Sequence, residues 1–137
     1  MITEQIQVEK KQLSDVTKLS FKEKLHLMAE TIRNHLHITQ TTWNLIKDEK
    51  MCVFGVLGFG AGISKEQLRL NASGIYDDIF AKYGLSNNDQ HKQFNLTYIG
   101  RKYRFISRSP YQLFTMNDAG MTFPELADEL DFWASQL

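Results

Sequence analysis

The run Gly55-Val56-Leu57-Gly58-Phe59-Gly60-Ala61-Gly62, followed by Ser64 and Lys65, holds the chain's densest set of residues suited to chemistry. Backbone N–H groups at a strand-to-helix junction hold phosphate when glycine lets the chain approach closely. The dinucleotide fingerprint needs GxGxxG, whereas this run reads GxxGxGxG. A P-loop needs Gly-Lys-Ser/Thr, and here Ser64 precedes Lys65. Glycine also serves sheet-to-helix reversals because it tolerates positive φ. The reversal is the preferred reading. Gly58, Gly60, Gly62 and Ser64 form the anion- or nucleotide-binding loop of an alternative in which the protein is a small-ligand binder or enzyme.

The other chemistry-bearing residues do not converge. Cys52 is the only cysteine, so neither an intramolecular disulfide nor a cysteine-rich zinc site is available. It lies in the apolar run Met51-Cys52-Val53-Phe54 and reads as a small buried hydrophobe. His26, His35, His37 and His91 show no HExxH spacing, and they read as structural or solvent-facing. Asp77 and Asp78 are adjacent, so on a helix their carboxylates diverge and form no acid/base pair. No cofactor and no metal is expected.

Charge is segregated along a chain whose 16 basic and 16 acidic residues cancel. Between Gln90 and Asn117 stand Lys92, Arg101, Lys102, Arg104 and Arg108 with no acid. From Asp118 onward stand Asp118, Glu125, Asp128, Glu129 and Asp131 with no base. If 102–108 is a strand, Lys102, Arg104 and Arg108 share one face and Tyr103 and Phe105 the other. That face either pairs with the acidic terminal helix or docks an acidic partner protein, with Tyr98, Arg101 and Tyr111 contributing. A basic hairpin beside helices also fits the wing of a winged-helix DNA binder, a weaker alternative because 86–92 leaves room for only a short recognition helix.

Several elements must position these groups. Ser20 with Glu23, Ser64 with Gln67, and Thr122 with Glu125 each carry capping-box spacing. Leu25, Met28, Ala29, Ile32 and Leu36 predict an amphipathic helix over 21–36. Trp43 and Leu45 alternate as in a strand, Lys47-Asp48-Glu49-Lys50 reads as a polar turn, and 51–57 returns beside it; a short helix over 41–49 is the alternative. Residues 65–83 read as one helix, or as two pieces broken near Gly74, ending at Gly84. After a polar loop over 85–91, strands are expected over 93–98, 102–108 and 111–116. The last helix carries Phe123, Leu126, Leu130, Trp133 and Leu137, packed on its own sheet or shared in a homodimer.

The expected fold is α+β: a single domain over 20–137, an antiparallel sheet flanked by helices in the order α-β-β-α-β-β-β-α. Residues 1–19 precede it as an arm or frayed helix. A chain of 137 residues buries roughly two-thirds of its unfolded surface, enough for one core. The 42% apolar and 23% charged composition excludes a largely disordered chain, and zero net charge excludes polybasic and acidic-tail classes. The amino-terminal residues lack a signal-peptide pattern and no apolar window reaches 18 residues, so a cytoplasmic, non-membrane protein is expected. The element order is similar to that of profilin-like and Roadblock-type modules. That resemblance implies an interaction or regulatory domain, matching the leading expectation of a non-enzymatic protein-binding role.

Overall fold

Ser20 and Glu23 cap the first long helix reciprocally. The Ser20 hydroxyl accepts the Glu23 N–H at 3.2 Å, and Glu23 Oε1 accepts the Ser20 N–H at 3.0 Å. The computed structural model describes residues 16–95 and 102–137. Its elements are α1 (Phe21–Arg33), β1 (Ile46–Lys47), β2 (Lys50–Met51), α2 (Val53–Gly60), α3 (Lys65–Leu70), α4 (Ile75–Lys82), α5 (Asn87–Gln90), α6 (Leu113–Asp118) and α7 (Phe123–Ser135). Short 3-10 turns stand at Val16–Lys18 and Pro110–Gln112. The other predicted capping boxes, at Ser64 with Gln67 and Thr122 with Glu125, are both formed, and Ser86 with Asp89 makes one more.

The helices pack around one core. The buried face of α1 is Leu25, Met28, Ala29 and Ile32, and its main partner is α7 through Leu126, Leu130, Trp133 and Ala134. Burying each of the larger side chains contributes about 1.5–3 kcal/mol. At the rim, Arg33 forks between Asp131 and Asp128, and His26 Nδ1 lies 2.7 Å from Asp131 Oδ1. These pairs are partly exposed and worth about 0–1 kcal/mol each, so they set the register of the two helices more than their stability. The terminal helix is thus covered within its own chain, with Phe132 and Leu137 left facing outward.

The sheet is much smaller than expected. Among the described residues it is a two-stranded antiparallel hairpin, Ile46 opposite Met51 and Lys47 opposite Lys50. The polar turn at Lys47–Lys50 is where the spacing put it. The return segment is corrected: after Met51 the chain enters α2, not a strand. All of Val53 to Gly58 is buried. A run apolar on every side carries no periodicity to separate strand from helix, and a helix of that composition sits in the middle of the core.

The second half is corrected similarly. Residues 93–95 and 102–108 form turns and irregular chain, and 111–116 is a 3-10 turn running into α6. Pro110 opens that turn, where its missing N–H is not needed. The 65–83 segment is two helices, α3 and α4, parted by Asn71 and Gly74 in left-handed conformations. The polar loop over 85–91 contains the short α5, and Gly84 ends α4 as expected. The profilin-like order is therefore not the order observed. Residues 1–15 of the expected arm and residues 96–98 of one expected strand lie outside the described residues.

Candidate functional site

The glycine run is a packing device. A Cβ on Gly55 would lie 2.0 Å from the Leu45 carbonyl oxygen, so only glycine lets α2 run this close to the preceding loop. Gly58 faces Ile79 and Leu68, and Gly60 faces Thr31 and His35. Gly62, at φ 100°, closes α2: its N–H donates to Phe59 O at 3.1 Å and the Ile63 N–H to Gly58 O at 2.9 Å. Ser64 N–H then donates to Gln67 Oε1. From Ala61 to Ser64 every backbone N–H is held within the chain. An anion or nucleotide at Gly58, Gly60, Gly62 and Ser64 would have to compete with these bonds.

The strand expected to carry the basic face does not form over 102–108, and of the two expectations for that face Arg108 follows the one that pairs it with the acidic terminal helix. Arg108 turns inward: its side chain and that of Glu129 are 1% and 0% exposed, with Nε 3.7 Å from Glu129 Oε2. Its Nη1 donates to Tyr103 O at 3.0 Å and Ile106 O at 2.8 Å, clamping the turn over 103–108. Burial pulls its pKa down and the Glu129 charge opposes that. Lys102 and Arg104 remain exposed, lying over the rings of Tyr103 and Phe105 at 4.9 and 5.0 Å. Phe105 is 90% exposed. Tyr98 and Arg101 lie outside the described residues. No hairpin wing forms over 102–108, and α5, at four residues, is too short for a recognition helix.

Tyr111 belongs to a different constellation. It packs edge-on against Phe114 at 5.6 Å and lies 4.9 Å from His91. Phe54 stands behind, 5.3 Å from Tyr76, 5.2 Å from Phe80 and 6.5 Å from Phe114. Phe54, Tyr76, Phe80, Tyr111 and Phe114 line a pocket of about 170 Å³. A neighbouring pocket of about 210 Å³, sharing Tyr76 and Phe114, is lined further by Trp43, Asn44, Cys52 and Asp118. Together they make an aromatic groove with one carboxylate.

The loop that presents Trp43 is rigidly held. Thr41 N–H donates to Met51 O at 2.9 Å and Met51 N–H to Thr39 O at 3.0 Å, so the loop runs beside β2. Gln40 Nε2 donates to Asn117 Oδ1 and Met121 O, and its Oε1 accepts the Phe123 N–H. Asn117 Nδ2 donates to Thr41 O. Trp43 itself has φ 68°, a left-handed conformation that is an outlier for a bulky aromatic residue, and is 81% exposed. Asp118 Oδ1 accepts its N–H at 2.9 Å and also takes a bond from Asn117 Nδ2 at 3.2 Å.

Groove electrostatics follow from burial. Burial pushes the Cys52 thiol up to about 11 against the pull of nearby backbone N–H groups, so at neutral pH it is a protonated wall and not a nucleophile. Tyr76 is shifted up, first by burial and then by Cys52, once that thiol ionises at alkaline pH, and by Asp118. Tyr83, outside the groove lining, is buried with its hydroxyl donating to Leu57 O, and burial raises its pKa. Sequence reading placed Trp43 on a half-buried strand and Asp118 in a charge run. The signal that Asn117 and Asp118 precede Gly120 at a helix end was present but said nothing about where they point.

A second concavity, of about 460 Å³, opens beside Gly62 and is lined by Ile63, Gln67, Ile75, Asp78, Ala81 and Lys82. His35 and His37 lie 5.9 Å apart, but among the described residues no three His, Cys, Asp or Glu side chains group as metal ligands. Among the same residues no helix is long and apolar enough to cross a membrane. Comparison with protein-family models, with curated proteins and with solved structures finds no match.

Proposed function

We propose that the chain is a protein-binding domain that docks its partner along the groove bounded by Trp43, Tyr76, Tyr111 and Phe114. The observation that carries this reading is Trp43. Left-handed backbone costs a non-glycine residue about 1–2 kcal/mol, and the exposed indole recovers none of it by burial. Strain fixed by neighbours and coupled to an exposed aromatic is what a preformed anchor requires. Tryptophan and tyrosine dominate interface hot spots because a partner desolvates a large, stiff surface at small entropy cost.

This moves the docking surface away from the basic segment of the sequence expectation. Lys102, Arg104 and Phe105 stay available as a second patch for an acidic partner, with Arg108 withdrawn into the core. The two surfaces separate in one experiment. Tagged wild type, Trp43→Ala with Tyr111→Ala, and Lys102→Ala with Arg104→Ala are used to capture proteins from native extract, with melting temperatures recorded for each. The expected result is a defined protein captured by wild type and by the Lys102/Arg104 variant and lost from the folded Trp43/Tyr111 variant. An identical capture profile for the groove variant and wild type overturns the proposal; loss only from the Lys102/Arg104 variant returns the site to the basic segment.

A small-ligand reading has one observation in its favour, the cleft beside Gly62 with Asp78 and Lys82 on its wall. A thermal-shift screen against nucleotides and flavins, with Lys82→Ala as control, tests it. Flat melting curves remove it.

A further inference from the structure

We infer that the pocket formed by Trp43, Tyr76, Phe114 and Asp118 receives a cationic side chain, the ammonium group of a lysine on the partner protein. The inference rests on the docking groove proposed above and names what enters it.

Three aromatic side chains and one carboxylate meet at this pocket, and none of the residues lining it or the adjoining pocket is Lys, Arg or His. Aromatic rings attract cations through the negative potential of their faces, Trp most strongly, and the attraction grows as the cation is desolvated. Asp118 adds a full negative charge. Both hydrogen bonds it accepts fall on Oδ1, and among the described residues Oδ2 accepts none. Burial is the main cause of the raised Tyr76 pKa, and the Asp118 charge adds to it.

Charge complementarity selects the occupant. The pocket that holds Asp118, about 210 Å³, has room for the head group of a single side chain, and it opens through Tyr76 and Phe114 into the adjoining one. It holds the head of one side chain, with exposed Trp43 on its wall. The stem's methylene groups can then run along the adjoining pocket of Tyr111 and Phe80.

The test is an NMR titration of the ¹⁵N-labelled full chain, reading the Trp43 indole and the amides of 42–44 and 114–118. Five probes are compared: one short peptide carrying lysine, trimethyl-lysine, norleucine or glutamate at the central position, and free choline. The lysine and trimethyl-lysine peptides are expected to shift these signals saturably, at least tenfold more tightly than the norleucine peptide, with no effect from glutamate. Asp118→Asn, which keeps an oxygen for the Trp43 N–H, is expected to weaken the lysine peptide about tenfold and leave norleucine unchanged. Norleucine binding as tightly as lysine overturns the cation inference while the docking groove stands. Choline alone binding makes this a small-molecule site and overturns the partner-lysine assignment. No response to any probe overturns the inference, and the capture experiment then decides the groove independently.

Discussion

Asn117 Oδ1 accepts the Val53 N–H at 3.0 Å, so a side chain from α6 supplies the cap that α2 lacks in its own sequence. Cys52 stands at the N-cap without a side-chain hydrogen bond, and the helix it opens is the most buried in the fold. The same amide holds Gln40 and Thr41, and its neighbour Asp118 holds Trp43. One buried residue therefore links the core helix to the loop that carries the proposed anchor.

Asn117→Ala removes an acceptor shared by two donors and a donor shared by two acceptors. Leaving buried groups unsatisfied costs about 1–3 kcal/mol each, so a loss of about 3 kcal/mol in urea unfolding is expected. A change under 1 kcal/mol would show that water or a repacked side chain replaces the amide.

Arg108 and Arg104 are expected to part company. Removing one member of a buried ion pair typically costs about 3–5 kcal/mol, so Arg108→Ala should destabilise the fold by that order. Exposed Arg104→Ala should stay within about 0.5 kcal/mol. The double replacement Arg108→Met with Glu129→Leu should be milder than either single change. Urea midpoints for Arg108→Ala, Arg104→Ala, the double replacement and its two single changes decide it, and equal tolerance of Arg108→Ala and Arg104→Ala would contradict the buried clamp.

Gly55→Ala pushes a Cβ into the Leu45 carbonyl, a backbone group that moves only with its loop. Overpacking of this kind costs about 1–3 kcal/mol or more. Gly62→Ala meets no neighbour within 4 Å and bears only the left-handed backbone cost of about 1–2 kcal/mol. Gly55 should therefore be the more sensitive position in thermal unfolding, and the Trp43 indole signal should shift with it because Leu45 lies two residues on.

Glu23 governs part of the acid response. Hydrogen bonds from the Ser20 backbone and then the Ser20 hydroxyl hold its carboxyl below the usual range. A depressed folded-state pKa means the unfolded chain binds the proton first, so the stabilisation is present above the ordinary carboxylate pKa and is lost as pH falls through the folded value. Glu23→Gln keeps the cap without a titrating group. Stability measured from pH 6 to pH 2.5 should fall more steeply for wild type than for this variant; parallel curves would remove the assignment. Subtracting the variant curve also removes the similar response of Glu49, lowered by Lys65 and Arg69.

Local chemistry was legible wherever a few adjacent residues settle it. The capping boxes at Ser20, Ser64 and Thr122, the stop at Gly84 and the apolar stripes of α1 and α7 depend on contacts three or four residues apart, and the sequence alone determined them. Cys52 as a buried apolar residue was equally readable. The identity of α2, the choice of Arg108 and Glu129 as the buried pair between the basic segment and the terminal helix, and the meeting of Trp43 with Tyr76, Phe114 and Asp118 were not. A run apolar on all sides has no period, and a basic residue in alternating sequence carries no mark of the carboxylate waiting 21 positions away. Those choices were made by tertiary structure, because burial rewards whichever conformation closes the core and satisfies its polar groups, and partners distant in the chain supply both.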